Sequence, residues 1–140
     1  MEIEEIVIVK PGHVELQKAS MSEQLQPHQA LVKTEYLIVS AGTEGSTFTG
    51  LVEQVDKYFN SPYPQKTGYG NLGEVISVGD SVRMCKPGDR VLSFSSHASY
   101  VKADSSKMTL PVPEDGDPVD IVFARMAGVS MSALRSSSVQ

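Results

Sequence analysis

The sequence has one cysteine, no tryptophan and no uninterrupted apolar run of membrane-spanning length. A single cysteine, Cys85, excludes an internal disulfide and any cysteine-rich zinc site. The lack of a long apolar run argues against a transmembrane helix. Residues 1–5 are acidic where a signal peptide would be basic. We therefore expect a soluble cytoplasmic protein.

Positive charge is also scarce, because 12 Lys and Arg residues face 17 Asp and Glu residues, for a net charge of -5. This balance argues against a nucleic-acid or anionic-membrane partner. With 40% hydrophobic and 21% charged residues, the composition is that of an ordinary globular domain. The three histidines are His13, His28 and His97, and their wide separation gives no metal-binding spacing.

The order of local patterns predicts strands first and a helix last. Asp117 and Pro118 combine an N-cap residue with proline at the first helical position. We expect Gly128 to break or kink the helix that follows, before a second short helix at 130–137. The fold class predicted is mainly β, a partly open β-barrel with peripheral short helices and a C-terminal helix. Runs rich in β-branched and apolar residues predict strands at 3–9, 13–19, 30–39, 72–78, 90–94, 98–103 and 108–112.

Residues 40–50 are rich in glycine, serine and threonine, with little side-chain mass for a core. This composition predicts a loop that can approach a ligand closely. Residues 51–59 carry a weak helical periodicity, which predicts a short helix or a turn.

Residues 68–73, G-Y-G-N-L-G, fit the G-x-G-x-x-G dinucleotide fingerprint. That motif binds pyrophosphate only where the glycines follow a strand and open a helix. Here Pro62 and Pro64 precede the glycines and a β-rich run follows them. Asp89, at the spacing of a ribose-binding acid, lies in a Pro-Gly-Asp turn. The context therefore argues against a dinucleotide site.

Three segments, in this order and spacing, resemble the catalytic domain of medium-chain dehydrogenases. Residues 39–44 (V-S-A-G-T-E) are similar to the family's I-C-G-T-D segment, and residues 68–75 look like its G-H-E-x-x-G stretch. Residues 86–91 (K-P-G-D-R-V) match a family turn closely. The resemblance implies a GroES-like substrate domain over residues 1–117. It also implies that residues 118–140 are a helical segment leading toward a Rossmann coenzyme domain that is absent from this chain.

The resemblance departs from the zinc-dependent members at the metal ligands. Their cysteine, histidine and glutamate correspond here to Ala41, Tyr69 and Gly70. Alanine and glycine offer no donor, and a neutral tyrosine is a poor zinc ligand. The four-cysteine structural zinc lobe that many members carry after the G-D-R-V strand is also absent, so we expect neither catalytic nor structural zinc. The S-A-G-T-E pattern at 40–44 resembles instead a zinc-lacking branch of the family.

The same resemblance suggests which side chains meet the substrate oxygen without zinc. Thr43 matches the family's relay hydroxyl, and Tyr69 places a phenol where the histidine would be, as a candidate general acid. Glu44 matches a carboxylate that orients the loop. Ser40 and Tyr36 are weaker candidates for substrate binding.

Structural alternatives stand beside each of these assignments. Thr43 alternatively satisfies backbone groups of a turn, Tyr69 fills the space of the lost metal site, and Glu44 is a solvated surface charge. His97, beside two serines, is expected in an exposed loop. Cys85 is read as a small semi-buried residue next to a turn, with a nucleophilic thiol as the alternative.

The function implied is the substrate-side domain of a zinc-independent, NAD- or NADP-dependent oxidoreductase acting on a small-molecule alcohol, carbonyl or enone. Hydride transfer requires a coenzyme domain, so we expect the isolated chain to be inactive. Family dimers generally form through that domain, which implies a homodimer for a full-length protein. The rival hypothesis is a non-enzymatic binding or assembly module built on the same barrel.

Overall fold

The computed structural model describes residues 1–51, 62–107, 109–113 and 115–137. Its strands form two antiparallel sheets, a three-stranded sheet in the order β2-β1-β4 and a five-stranded sheet in the order β7-β3-β5-β6-β8. The elements are β1 (Glu2–Lys10), β2 (His13–Ser20), β3 (Gln29–Ile38), α1 (Thr43–Thr49), β4 (Gln65–Lys66), β5 (Gly70–Val78), β6 (Arg90–Ser93), β7 (Tyr100–Asp104), β8 (Thr109–Pro111) and α2 (Pro118–Ser136). The predicted mainly β fold class, a curled sheet with a C-terminal helix, is confirmed.

The hydrophobic core lies in two parts. The larger cluster combines residues of β3, β5, β6 and β7 on one face of the curled sheet with Ile3 of β1 and residues of the connecting segments. A smaller cluster joins the sheet to α2 through Ile38, Leu72, Leu92 and Val122. The C-terminal helix is thus packed on the end of the barrel where β3 finishes and β5 begins. The larger cluster includes Val32, Val75, Val91 and Val101, all buried.

Residues 86–89 form the predicted turn before β6. The Asp89 carboxylate accepts a hydrogen bond from the Lys86 backbone N–H at 2.9 Å, which closes the turn. Cys85 is buried beside it. Burial raises the pKa of the Cys85 thiol, and the negative charge of Asp89 raises it further. Both effects disfavour the thiolate, which argues against the nucleophile alternative.

The glycine motif at 68–73 lies in a strand context. Gly70 begins β5, which pairs antiparallel with β3 on one side and β6 on the other. The element that directly follows Gly68 is therefore strand β5, which contains Gly70 and Gly73, and not a helix. The geometry therefore lacks the helix N-terminus that a pyrophosphate needs.

Two local expectations were wrong. Residues 43–49 form helix α1 rather than a loop, and α2 runs without a break through Gly128. In α1 the hydroxyls of Ser46, Thr47 and Thr49 donate hydrogen bonds to backbone carbonyls three or four residues earlier. These side chains therefore make their hydrogen bonds within the helix and do not favour a turn in its place. The predicted helix or turn at 51–59 lies almost entirely outside the described residues.

The start of α2 is as predicted. The Asp117 carboxylate accepts a hydrogen bond from the Val119 backbone N–H at 2.8 Å, and Pro118 occupies the first turn. Neither described helix combines the length and the apolar composition that a bilayer crossing requires.

Candidate functional site

A buried hydrogen-bonded pair, Glu44 and His97, anchors the segment between β3 and α1. One carboxylate oxygen of Glu44 lies 2.7 Å from His97 Nε2, and the other accepts the Ser40 backbone N–H at 2.6 Å. Glu44 is 7% exposed and His97 only 3%. The expectation of an exposed loop at His97 was therefore wrong, and so was the alternative of Glu44 as a surface charge. Each side chain is held in the interior by the other, which is 53 residues away in the sequence.

Thr43 is the first residue of α1 and is exposed. Its backbone N–H approaches Ser40 Oγ at 3.4 Å, and its carbonyl accepts hydrogen bonds from the hydroxyls of Ser46 and Thr47. Its own hydroxyl makes no hydrogen bond within the described chain. The backbone of Thr43 therefore takes part in the hydrogen bonds that begin α1, while its side-chain hydroxyl is available to a ligand.

Tyr69 packs between the barrel and α2. Its ring centroid lies 6.0 Å from that of Phe94, with the planes tilted by 58°. The guanidinium carbon of Arg125, on α2, lies 4.5 Å from the Tyr69 centroid and 4.4 Å from the Phe94 centroid. A cation held against two ring faces is attracted by both quadrupoles. The ring of Tyr69 thus has a packing role, whatever its hydroxyl does.

Arg125 is a residue that the sequence reasoning missed. Its Nε is buried without a hydrogen-bond partner, and no ion pair in the described residues includes it. A Cβ on Gly70 would lie 3.4 Å from the Arg125 side chain and 2.7 Å from Ile38 Cγ2, so glycine leaves this space open. The available signal was a lone basic residue three positions after the buried Val122, on the inward face of a helix.

The strand register relates Thr43 to Tyr69. Ile38, the last residue of β3, pairs with Gly70, the first residue of β5. Thr43 follows the end of β3, and Tyr69 precedes the start of β5. Both residues therefore lie near the same end of this strand pair. Ser40, Thr43 and Glu44 share one set of hydrogen bonds, whereas Tyr69 belongs to the aromatic cluster with Arg125.

The two weaker candidates differ in their surroundings. Ser40 is buried, and both its N–H and its hydroxyl hold the segment that begins α1. Tyr36 lies on β3 opposite Leu72 and is 42% exposed. Substrate binding by either residue stays a prediction.

The residues at the family's metal positions do not fit zinc. Ala41 and Gly70 carry no donor atom, and the Tyr69 ring is packed against Phe94 and Arg125. Across the described residues, no three His, Cys, Asp or Glu side chains are grouped to hold a metal. The imidazole of His97, which lines the same cavity as Ala41, already makes a hydrogen bond to Glu44 through Nε2.

Comparison with known proteins agrees with this architecture. Three solved structures share the fold: an oxidoreductase/dehydrogenase of unknown specificity involved in membrane biogenesis from Escherichia coli (20% identity, TM-score 0.77), the quinone oxidoreductase from Coxiella burnetii (21%, 0.76) and a mycobacterial protein complexed with NADPH (22%, 0.70). They align with 100%, 100% and 97% of this chain, and the aligned region is 48%, 46% and 40% of theirs. The chain thus spans less than half of their length. No curated protein sequence matches it.

The family model of the alcohol dehydrogenase GroES-like domain matches residues 26–132, which is most of the chain. The match begins just before β3 and ends within α2, so it includes the segment before α1, the Tyr69 region and Arg125. The chain belongs to the alcohol dehydrogenase GroES-like domain family.

Proposed function

We propose that this chain is the substrate-side domain of a zinc-independent, NAD- or NADP-dependent oxidoreductase acting on a small alcohol, carbonyl or enone. Residues 1–117 form the substrate domain, and residues 118–140 lead toward a second domain that holds the coenzyme. The isolated chain is then inactive, and a dimer of the whole cytoplasmic protein would form through that second domain. The observation that carries the proposal is the position of Arg125 beside Tyr69 and Gly70, two of the family's metal-ligand positions.

The chemical argument concerns the charge on the substrate oxygen. When a carbonyl is reduced, negative charge develops on its oxygen, and preorganised donors or cations stabilise it. Arg125 is a permanent cation without a carboxylate partner in the described chain, and the two aromatic rings fix its position. Thr43 and Tyr69 add hydroxyl donors at the same end of the β3–β5 ladder. Together they supply charge and hydrogen bonds where family members with zinc use the metal.

Glu44 and His97 have a positioning role in this proposal. Glu44 holds the Ser40 N–H, and Ser40 Oγ in turn lies near the Thr43 N–H. Buried hydrogen-bonded groups have few alternative arrangements, so this set fixes where Thr43 begins α1.

Binding of a small oxyanion tests the role of Arg125. We expect acetate to shift the NMR signals of the Arg125 side chain and of the Thr43 and Gly70 amides in a saturable manner. Arg125→Met should weaken acetate binding by at least about tenfold, since a charge-assisted hydrogen bond contributes roughly 1.5–3 kcal/mol. The matched control is Arg135→Met, because Arg135 lies on the same helix and is exposed. Equal acetate affinity in the two variants would refute the assignment.

Metal content tests the zinc-independent part separately. After incubation with excess zinc and gel filtration, elemental analysis should find no stoichiometric zinc, because residues 41, 69 and 70 offer no thiolate, imidazole or carboxylate. The double variant Ala41→Cys/Tyr69→His, which restores two ligands, should retain more zinc than the parent. One tightly held zinc per parent chain would contradict the proposal.

A further inference from the structure

The C-terminal half of α2 extends beyond the barrel. Helix α2 packs on β3 and β5 through its N-terminal half, where Val122 is buried and Arg125 lies against the ring of Tyr69. Every residue from 127 to 137 is exposed. Helices of about ten residues are marginal in water without tertiary packing. This half of α2 is therefore stabilised if another surface covers it.

Four exposed apolar residues form a stripe along α2. They are spaced by three, four and three positions, which is the repeat by which two helices pack together. The first of them, Ala124, follows the buried Val122 by two positions, which is about 200° around the helix. The stripe therefore faces away from the barrel. Its members are Ala124, Ala127, Met131 and Leu134.

The shape of this α2 stripe is complementary to a second copy of itself. The two alanines lie nearer to the barrel, and the two large side chains lie nearer to the C-terminal end of the helix. In an antiparallel pair, Leu134 of each copy meets Ala124 of the other. Met131 likewise meets Ala127. A large side chain opposite a small one fills each layer without overpacking. Each projecting half is then covered by the half of the other helix that rests on its own barrel.

The charges of α2 favour the same antiparallel direction. Asp120 lies one turn before Ala124 and continues the stripe, and Arg135 flanks it at the other end; both are exposed. In the antiparallel pair, Arg135 is displaced along the axis from Asp120 of the other copy by about 4.5 Å, within reach of the long side chain. A parallel pair would instead place like charges side by side, which is destabilising.

We propose that α2 is a contact between two copies of this chain, which form an antiparallel dimer through the α2 stripe with each Arg135 paired to Asp120 of the other copy. This contact needs only residues of the chain itself and does not rest on the proposed function. One helix pair buries less surface than the roughly 1,200 Å² of standard complexes. The dimer therefore forms reversibly, at micromolar concentrations or above.

Sedimentation velocity at increasing chain concentration measures this association. The parent should pass from monomer to dimer without larger species, because a closed two-fold contact leaves no stripe uncovered. Leu134→Glu should weaken the dimer at least about tenfold, since it places a charge against Ala124 in an apolar contact. Leu16→Glu is the matched control, because Leu16 is 67% exposed and Leu134 69%, and Leu16 lies on β2. A parent that stays monomeric at millimolar concentration, or a loss from Leu16→Glu as large as that from Leu134→Glu, would overturn the proposal.

Charge reversal tests the direction of pairing. Arg135→Glu and Asp120→Arg should each weaken the dimer about fivefold, because each change replaces two surface ion pairs by like-charge contacts. The double variant Asp120→Arg/Arg135→Glu restores opposite charges and should dimerise nearly as well as the parent. Circular dichroism checks that the helix content of each variant is kept. A double variant as weakly associated as the single variants would refute the antiparallel contact.

Discussion

Replacing His97 with alanine is expected to lower the free energy of unfolding by about 3 kcal/mol, because it leaves the buried Glu44 carboxyl group without its side-chain partner. Glu44 and His97 are both almost fully buried and lie 2.7 Å apart. Without the imidazole, Glu44 keeps a single donor, the Ser40 N–H, and its carboxylate faces an uncompensated desolvation cost.

Urea denaturation followed by circular dichroism measures this loss. Lys18→Ala serves as the control, since Lys18 and Glu2 form an ion pair at 3.2 Å on the exposed face of the hairpin. Its removal should change stability by no more than about 1 kcal/mol. The double variant Glu44→Leu/His97→Leu should recover much of the His97→Ala loss, because it leaves no buried charge. A His97→Ala effect as small as that of Lys18→Ala would contradict the buried pair.

Features fixed by local chemistry were predictable from the sequence. The turn at 86–89 is specified by a proline, a glycine and an aspartate whose side chain closes it. The start of α2 is specified by Asp117 capping its own helix. Every strand except the two-residue β4 follows from a run rich in β-branched and apolar residues. In each case the determining groups lie within a few residues of one another.

Features that depend on distant partners were not predictable. Glu44 and His97 are 53 positions apart, and nothing near His97 in the sequence indicates a buried carboxylate. Arg125 meets Tyr69 only because α2 packs over the start of β5. Helix α1 was missed for a related reason. Its glycine, serine and threonine residues have poor helix propensity, and the helix is supported by contact with β1.

The sequence context correctly argued against a dinucleotide site at residues 68–73. The structure also shows why the last residue of this motif, Gly73, is a glycine. A Cβ on Gly73 would lie 2.2 Å from the Lys33 carbonyl oxygen and 2.8 Å from Val32 Cγ1. These atoms belong to β3, the neighbouring strand, and the pairing register shifts next to Thr34, the residue opposite Gly73. The backbones approach each other there more closely than any side chain allows.

Gly73→Ala is therefore expected to destabilise the chain by about 3 kcal/mol, near the upper end of the usual cost of overpacking. A backbone oxygen cannot move away as the end of a flexible side chain can, so β3 and β5 must separate locally.

Gly128→Ala is the control, because a Cβ at that helical position meets nothing within 4 Å. It should raise stability by up to about 1 kcal/mol through helix propensity. Thermal and urea denaturation of both variants measure these changes in stability. If Gly73→Ala were as stable as the parent, the close approach of β3 to β5 would be wrong.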